Sequence, residues 1–357
     1  MQRQDVVFSG MRPTGRLHLG NYWGALKSWV ALQDRFSCFF SIVDWHMLTT
    51  GYSDTSKLRD NVSEMTLDWL AAGLDPAKCV IFRQSDVPEH AELALMLGMV
   101  TPLSSVENNP TWKEQLQELS KTKAGLAAEG GQTRYEENKQ GANYELRTYG
   151  FLGYPVLQAA DILLYHGNKV PVGQDQLPHL ELSREIARKF NKAFGEIFAE
   201  PQPLLTPTPR VPGLDGRKMS KSYGNSIEIY ESPASLETKV KGMYTDPGRK
   251  KATDPGRPEP CAENPPGCTA YAMHKLYADE SFVKARGEAC RAGEIGCMAC
   301  KKELLCEMSG PFDEFRRRRD AYAAEGGVER ILAEGALKAR AVAGKTMDEV
   351  RKAMRLR

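Results

Sequence analysis

The stretch from Phe8 to Ala25, FSGMRPTGRLHLGNYWGA, narrows the choice of fold more than any other part of the chain. Val6 and Val7 lead into it as a short apolar run that reads as a buried strand. Gly10, Pro13 and Gly15 then break the pattern into a tight loop. Apolar residues return at Leu19, Trp23, Leu26 and Val30, the spacing of a helix that begins near Gly20 and Asn21. A strand, a Gly/Pro loop and a helix start aim main-chain N–H groups and the positive end of a helix at one spot, which suits phosphate. His18 and Asn21, three apart on the first turn, can both face it. The stretch is not GxGxxG and lacks the Gly-Lys-Ser/Thr ending of a P-loop, so by itself it also fits a βα turn of any α/β protein.

The pattern repeats downstream. Cys38 to Val43 reads as a second buried strand ending at Asp44-Trp45-His46, and Val80 to Phe82 as a third, followed by Gln84-Ser85-Asp86. Val170 to Val172 reads as another, with helices over 56–73, 91–100 and 177–190. Strands alternating with helices predict a doubly wound parallel sheet. His46, just past a strand end, is a candidate for the ligand crevice of such a sheet, although a core or surface histidine fits the same pattern. The polar stretch 107–145, with Trp112 and Lys113 near its start, reads as an insertion or lid. The Pro-rich segment 200–213 reads as a stiff connector. A domain boundary falls near residue 230, giving an α/β domain over 1–230 and a helical domain over 231–357, with Pro/Gly breaks at 246–268.

At 357 residues the chain has room for two domains, and 41% hydrophobic with 26% charged residues is an ordinary globular balance. A net charge of +2 gives no global field for nucleic acid, so any RNA contact must come from local patches. The start MQRQDVVF has no hydrophobic signal core, and no apolar run approaches membrane-spanning length, so the expectation is cytoplasmic and not membrane-bound.

Three further segments carry chemistry. Lys218-Met219-Ser220-Lys221-Ser222 puts two ammonium groups and two hydroxyls in a Gly/Pro-rich loop, 212–224, which could close on a polyphosphate or simply be a solvated loop. In YPVLQAADILLY, with Pro155 in the first turn, Tyr154, Gln158, Asp161 and Tyr165 form one polar stripe on an apolar helix. Such a stripe either faces solvent or finds buried partners. Six of the eight cysteines lie between Cys261 and Cys306, and Cys290, Cys297 and Cys300 give C-x6-C-x2-C. In a cytosolic chain this favours metal over disulfides, and four thiolates fit either zinc or an iron–sulfur cluster. Arg316 to Arg319 could touch RNA phosphate or be a solvated helix.

Taken together, PTGRLHLGN and the downstream KMSKS resemble the two phosphate-handling motifs of class I aminoacyl-tRNA synthetases, His18-Leu19-Gly20-Asn21 standing for the HIGH-type motif. YPVLQAADILLY and VPVGQDQ extend the likeness over nearly the whole chain to the tryptophanyl-tRNA synthetase family. That resemblance implies a Rossmann-like core with a helical anticodon-binding domain, a homodimer, ATP, Mg²⁺, L-tryptophan and tRNA(Trp). It assigns His18, Asn21, Lys218, Ser220 and Lys221 to catalysis, and Arg12, Pro13, Thr14, Gly20, Gly173, Gln174, Asp175, Val211, Met219 and Ser222 to ATP. Phe8, His46, Tyr154, Gln158, Asp161 and Gln176 would shape the tryptophan pocket. Asp161 would accept the indole N–H and reject phenylalanine by being left unpaired. Gln174 stands where relatives often have glutamate, and Gln158 where they often have methionine. A bacterial subset carries a [4Fe–4S] cluster on C-x22-C-x6-C-x2-C. Cys268, Cys290, Cys297 and Cys300 approach that pattern one residue short, with Cys261 as the other candidate first ligand and zinc as the other metal. A tyrosyl-tRNA synthetase, or a catalytically silent tRNA-binding paralogue, are the alternatives.

Overall fold

The structure, a computed structural model, describes residues 5–108, 148–205, 211–324 and 326–356. Nearly all of the polar stretch 107–145, Trp112 and Lys113 included, lies outside the described residues. The chain begins with β1 (Val6–Met11) and α1 (Leu19–Asn21), which runs through a π-turn (Tyr22–Leu26) into α2 (Lys27–Leu32). There follow β2 (Ser37–Ile42), α3 (Asp44–Gly51), α4 (Leu58–Ala72) and β3 (Val80–Arg83). Next come α5 (Glu89–Val100), α6 (Leu103–Glu107), α7 (Tyr149–Leu163), β4 (Lys169–Val172), α8 (Leu177–Phe194) and β5 (Gln202–Leu205). Helices complete the chain: α9 (Pro233–Gly242), α10 (Thr269–Tyr277), α11 (Glu280–Ala292), α12 (Cys297–Ala324) and α13 (Val328–Ala353).

The five strands are parallel, in the order β3-β2-β1-β4-β5. Alternate residues along each strand serve opposite faces, so Val7, Phe40 and Ile81 join one core and Phe8, Phe39 and Phe82 the other. The doubly wound sheet expected from the alternating pattern is therefore present. The order reverses between β1 and β4, the switch point at which such sheets bind ligands. These two strands meet at Val7↔Lys169, near their N-terminal ends. Pro171, with no N–H to give a neighbour, lies further along β4.

Four local features depart from the expectations. The segment 200–213 is not only a connector: Gln202–Leu205 is a strand, and Pro203 is tolerated because β5 lies at the sheet edge. The π-turn inserts an extra residue into the first helical segment, so Trp29 rather than Val30 is buried with Leu19 and Leu26. Helix α7 starts at Tyr149, capped by Thr148, whose Oγ1 accepts the Phe151 N–H at 3.1 Å, so Pro155 lies inside the helix rather than in its first turn. Finally, α13 returns from the C-terminal part and packs along edge strand β3, as α12 packs along α4. The approach is so close that a Cβ on Gly335 would lie 1.8 Å from the Ile81 carbonyl oxygen. A helix laid on β3 in this way also protects the sheet edge.

Candidate active site

A cavity of about 370 Å³ opens where β1 and β4 part, lined by Phe8 to Met11 of β1 with Arg12 just past its end, and by Val170 to Val172 of β4 with Gly173 just past its end. Phe8, Arg12, His46, Tyr154, Gln158, Asp161, Gly173 and Gln176, all marked in the sequence, are brought together in its wall. Gly24, Ala25 and Ser28 close it from the first helical segment.

The polar stripe of α7 faces inward. Asp161, 2% exposed, accepts three hydrogen bonds. Gln84 Nε2 donates to its Oδ1 at 2.8 Å, His90 Nδ1 pairs with the same oxygen at 2.7 Å, and His46 Nε2 pairs with Oδ2 at 2.8 Å. Burial alone would raise this carboxyl, but the bonds from His46 and His90 outweigh it and hold it down at about 2. His90 Nε2 in turn meets the Tyr165 hydroxyl at 2.7 Å, and Tyr165 stacks on Phe8 and Phe39. Tyr165 thus braces the pocket from behind. Tyr154 bonds to His179 Nε2, whose Nδ1 lies 3.2 Å from Gln176 Oε1. The carboxylate of Asp161 is not left unpaired without an indole donor, because three protein donors already hold it. An orphaned charge, by which the sequence expectation has this residue reject phenylalanine, is therefore not what the structure holds here. Gln84, His90 and His179 were not anticipated. Gln84 follows a strand end and His90 interrupts an apolar helix, which are the only sequence signals of their role.

Beside the cavity lies a second cluster. His18 caps α1, its N–H donating to Asn21 Oδ1 at 3.1 Å. A Cβ on Gly20 would come within 2.8 Å of the His18 ring, so only glycine leaves that ring its place. Burial, then Lys221 and Lys218, pull the His18 imidazole down to about 4, and its buried Nδ1 has no hydrogen-bond partner among the described residues. Lys221 Nζ donates to the Thr14 carbonyl at 2.8 Å, bringing the 212–224 loop onto the Pro13–Gly15 turn. The loop itself is hairpin-like: Pro212 bridges Lys218, the Met219 N–H donates to the Val211 carbonyl at 3.2 Å, and Asn225 Oδ1 accepts the Ser220 N–H at 2.8 Å. Met219 and Val211 are buried, while the Ser220 and Ser222 hydroxyls bond to each other at 2.8 Å. None of these loop residues lines the cavity; Arg12, which does, bonds Thr50 Oγ1 through its guanidinium. Gln174 lies exposed on the turn Gln174–Gln176, and the Asp175 side chain lies outside the described residues.

Cys268, Cys290, Cys297 and Cys300 line one small cavity together with Arg249 and Arg286; Cys261 is not among its lining residues and turns back on Asn264. Arg249 Nη1 lies 3.7 Å from Cys290 Sγ. Burial pushes the Cys300 thiol up to about 12 and that of Cys268 to about 11, with the neighbouring sulfurs adding to both. Among the described residues no three His, Cys, Asp or Glu side chains converge as they would on a single metal ion. The arginine run is not one surface. Arg317 is exposed, whereas Arg319 is 5% exposed and paired with Asp68 and Glu64.

Residues 1–309 match the family described as tRNA synthetases class I (W and Y). The chain is 46% identical to the tryptophan–tRNA ligase of Aquifex aeolicus, over 98% of this chain and 99% of the relative. It is 45% identical to that of Thermotoga maritima, again over 98% and 99%. Its fold is similar to the crystal structure of the Campylobacter jejuni tryptophanyl-tRNA synthetase complexed with ADP and tryptophan, with a TM-score of 0.79, 32% identity and 98% and 99% of the two chains covered. A parallel sheet with a cavity at its switch point, a cationic cluster beside it and full-length likeness to these enzymes agree: the chain belongs to the class I tRNA synthetases of the W and Y family and, within it, to the tryptophan–tRNA ligases.

Proposed function

We propose that this tryptophan–tRNA ligase binds tryptophan in the cavity between β1 and β4 and the ATP phosphates at the His18–Lys221 cluster next to it. The observation that carries the assignment is Asp161, a buried carboxylate held by three donors at the cavity wall with one oxygen, Oδ2, bonded only once by the protein. That oxygen has room for the indole N–H. Phe8, Tyr154, Gln158, Gln176 and His46 surround the ring and amino-acid groups, and Gly173 lets ATP approach the main chain.

In the first step the tryptophan carboxylate attacks the α-phosphorus of ATP, the bond to the β-phosphate oxygen breaks, and pyrophosphate leaves with the charge. In the second, a ribose hydroxyl of the terminal adenosine of tRNA(Trp) attacks the carbonyl carbon and AMP leaves. Neither step needs a covalent enzyme intermediate, so catalysis is positioning plus charge stabilisation. His18 acts as a neutral hydrogen-bonding group at neutral pH, since its proton is lost at about 4. Lys218 and Lys221 carry the positive charge that the departing pyrophosphate requires, with Ser220, Ser222, Asn21, Pro13 and Thr14 shaping the site. Mg²⁺ bound with the ATP phosphates would supply further neutralisation of that charge beside Lys218 and Lys221.

The finer assignments belong to the same proposal. Residues 1–230 form the catalytic domain and 231–357 the helical tRNA-binding domain, in a cytoplasmic enzyme. Cys268, Cys290, Cys297 and Cys300 would be the ligands of a [4Fe–4S] cluster, a reading supported by the all-sulfur donor set that lines one cavity. Zinc is the alternative, separated by iron and sulfide analysis of protein purified without oxygen. Leu95, Met99 and Leu103, each more than 60% exposed on α5 and α6, support a homodimer through that face.

Tryptophan-dependent exchange of pyrophosphate into ATP tests the site. His18→Ala and Lys221→Met should each lower kcat at least about tenfold with the tryptophan KM within about twofold. Unchanged kcat in both would refute the phosphate assignment.

A further inference from the structure

We infer that Arg319, on α12, is a positioning residue for adenylate formation: through Asp68 it fixes the main chain at Leu17 and so the stance of His18. Arg319 Nε donates to Asp68 Oδ1 at 2.9 Å and Nη2 to Glu64 Oε2 at 2.6 Å, and the guanidinium lies 4.4 Å from the Tyr230 ring centroid. Asp68, on α4, is 0% exposed, and its other oxygen accepts the N–H of Leu17, the residue just before His18, at 2.6 Å. The Leu17 carbonyl accepts the Ile229 N–H at 2.9 Å, and the Leu19 N–H donates to the Ile227 carbonyl at 2.9 Å. The same helix also reaches the far side of the motif, where Phe315 meets Tyr22 edge-on with ring centroids 5.0 Å apart. One C-terminal helix therefore grips the motif before His18 and after Asn21.

A buried carboxylate stays in place only while it is compensated, and the planar fork of arginine holds Asp68 and Glu64 at once, which a single ammonium does not. Without the fork, Asp68 is free to turn from Leu17, and His18 shifts with the main chain. Displacing a reacting group by about 1 Å costs on the order of 100-fold in rate. This inference rests on the placement of phosphate at His18.

The test is pyrophosphate exchange on the full chain carrying Arg319→Gln or Arg319→Lys, with a melting curve for each. Arg319→Gln should lower kcat about 10- to 100-fold with the tryptophan KM within about twofold, and Arg319→Lys, which still reaches Asp68, should recover at least about threefold of the loss. A folded Arg319→Gln protein with kcat within about twofold of the parent, or with its loss in the tryptophan KM, would overturn the inference. If Arg319→Gln does not fold, Asp68→Asn, which keeps an oxygen for the Leu17 N–H but removes the ion pair, is held to the same thresholds. A His18→Ala control with unchanged kcat would instead refute the phosphate reading, so the two failures are distinguishable.

Discussion

Replacing Asp161 by asparagine changes one oxygen to an NH₂ group at constant volume, and the surrounding donors dictate which one. Oδ1 accepts from Gln84 Nε2, and Gln84 cannot turn over, because its own Oε1 accepts the Trp45 N–H at 3.1 Å. The amide nitrogen must therefore take the Oδ2 side, where it confronts His46 Nε2 and the indole N–H. His46 can exchange tautomers to accept; the indole cannot. The substrate loses a hydrogen bond to a charged acceptor, about 1.5–3 kcal/mol, which corresponds to roughly 10- to 150-fold in affinity. We expect the tryptophan KM of pyrophosphate exchange to rise by that factor while the ATP KM stays within about twofold. The melting temperature of the variant, measured in parallel, separates this effect from loss of folding. A tryptophan KM within twofold of the parent in a folded variant would refute the placement of the indole at Asp161; an equal rise for ATP would refute the separation of the two clusters.

Asp161 also predicts an acid response. Its folded value of about 2 lies below the ordinary 3.8, so the stability it contributes is complete above about pH 4 and is lost as pH falls towards 2, and denaturant titrations near pH 5 and pH 3 should show a smaller difference in Asp161→Asn than in the parent. The His18 ring should titrate by NMR at about 4, and Lys221→Met should move it upward, though not fully to the ordinary 6.5, because burial is the larger cause; a His18 titrating near 6.5 in the parent would contradict the buried, cation-flanked placement. Gly335→Ala should destabilise the fold by about 1–3 kcal/mol or more, since its Cβ meets the Ile81 carbonyl, whereas Gly344→Ala on the same helix meets nothing within 4 Å and should be neutral or stabilising by up to about 1 kcal/mol. Gly20→Ala should lower kcat of exchange with little change in melting temperature, because the added methyl displaces the His18 ring rather than any core residue.

The parts of the fold that were legible in the sequence are those written in local periodicity. Val6-Val7, Cys38 to Val43 and Val80 to Phe82 are apolar runs bounded by turn residues, and all three are strands. Leu58 to Ala72 shows the 3.6-residue period and ends at a glycine, and it is a helix. What was hidden depends on neighbours far along the chain. Gln202–Leu205 is a strand because β4 offers it an edge, and no pattern within EPQPLL announces that. The π-turn hides for the opposite reason: one inserted residue shifts the phase, so the helical period seen at Val30 points to the wrong residue. His90 and Gln84 join Asp161 across 71 and 77 residues, a proximity that only the sheet order creates.

The two motifs illustrate why a site can be recognised from its sequence and yet not be explained by it. His18-Leu19-Gly20-Asn21 contains the groups proposed to meet phosphate, but nothing in those four residues fixes where the motif stands in space. Its main chain is held by Ile227 and Ile229 from the segment after the lysine loop, and by Asp68 from α4. Asp68 stays in place because Arg319, from the last third of the chain, lies against it. In the sequence Arg319 is the fourth of four consecutive arginines and looks like the other three. Folding separates them: Arg317 faces solvent and pairs with its own helix, and Arg319 is buried beneath the motif. Arg317→Ala should therefore leave pyrophosphate exchange unchanged, since an exposed pair contributes less than about 1 kcal/mol. The same change at Arg319 should not be tolerated. Equal effects of the two substitutions on kcat would mean that the run acts through its summed charge, and the case for a specific link from α12 to His18 would fall.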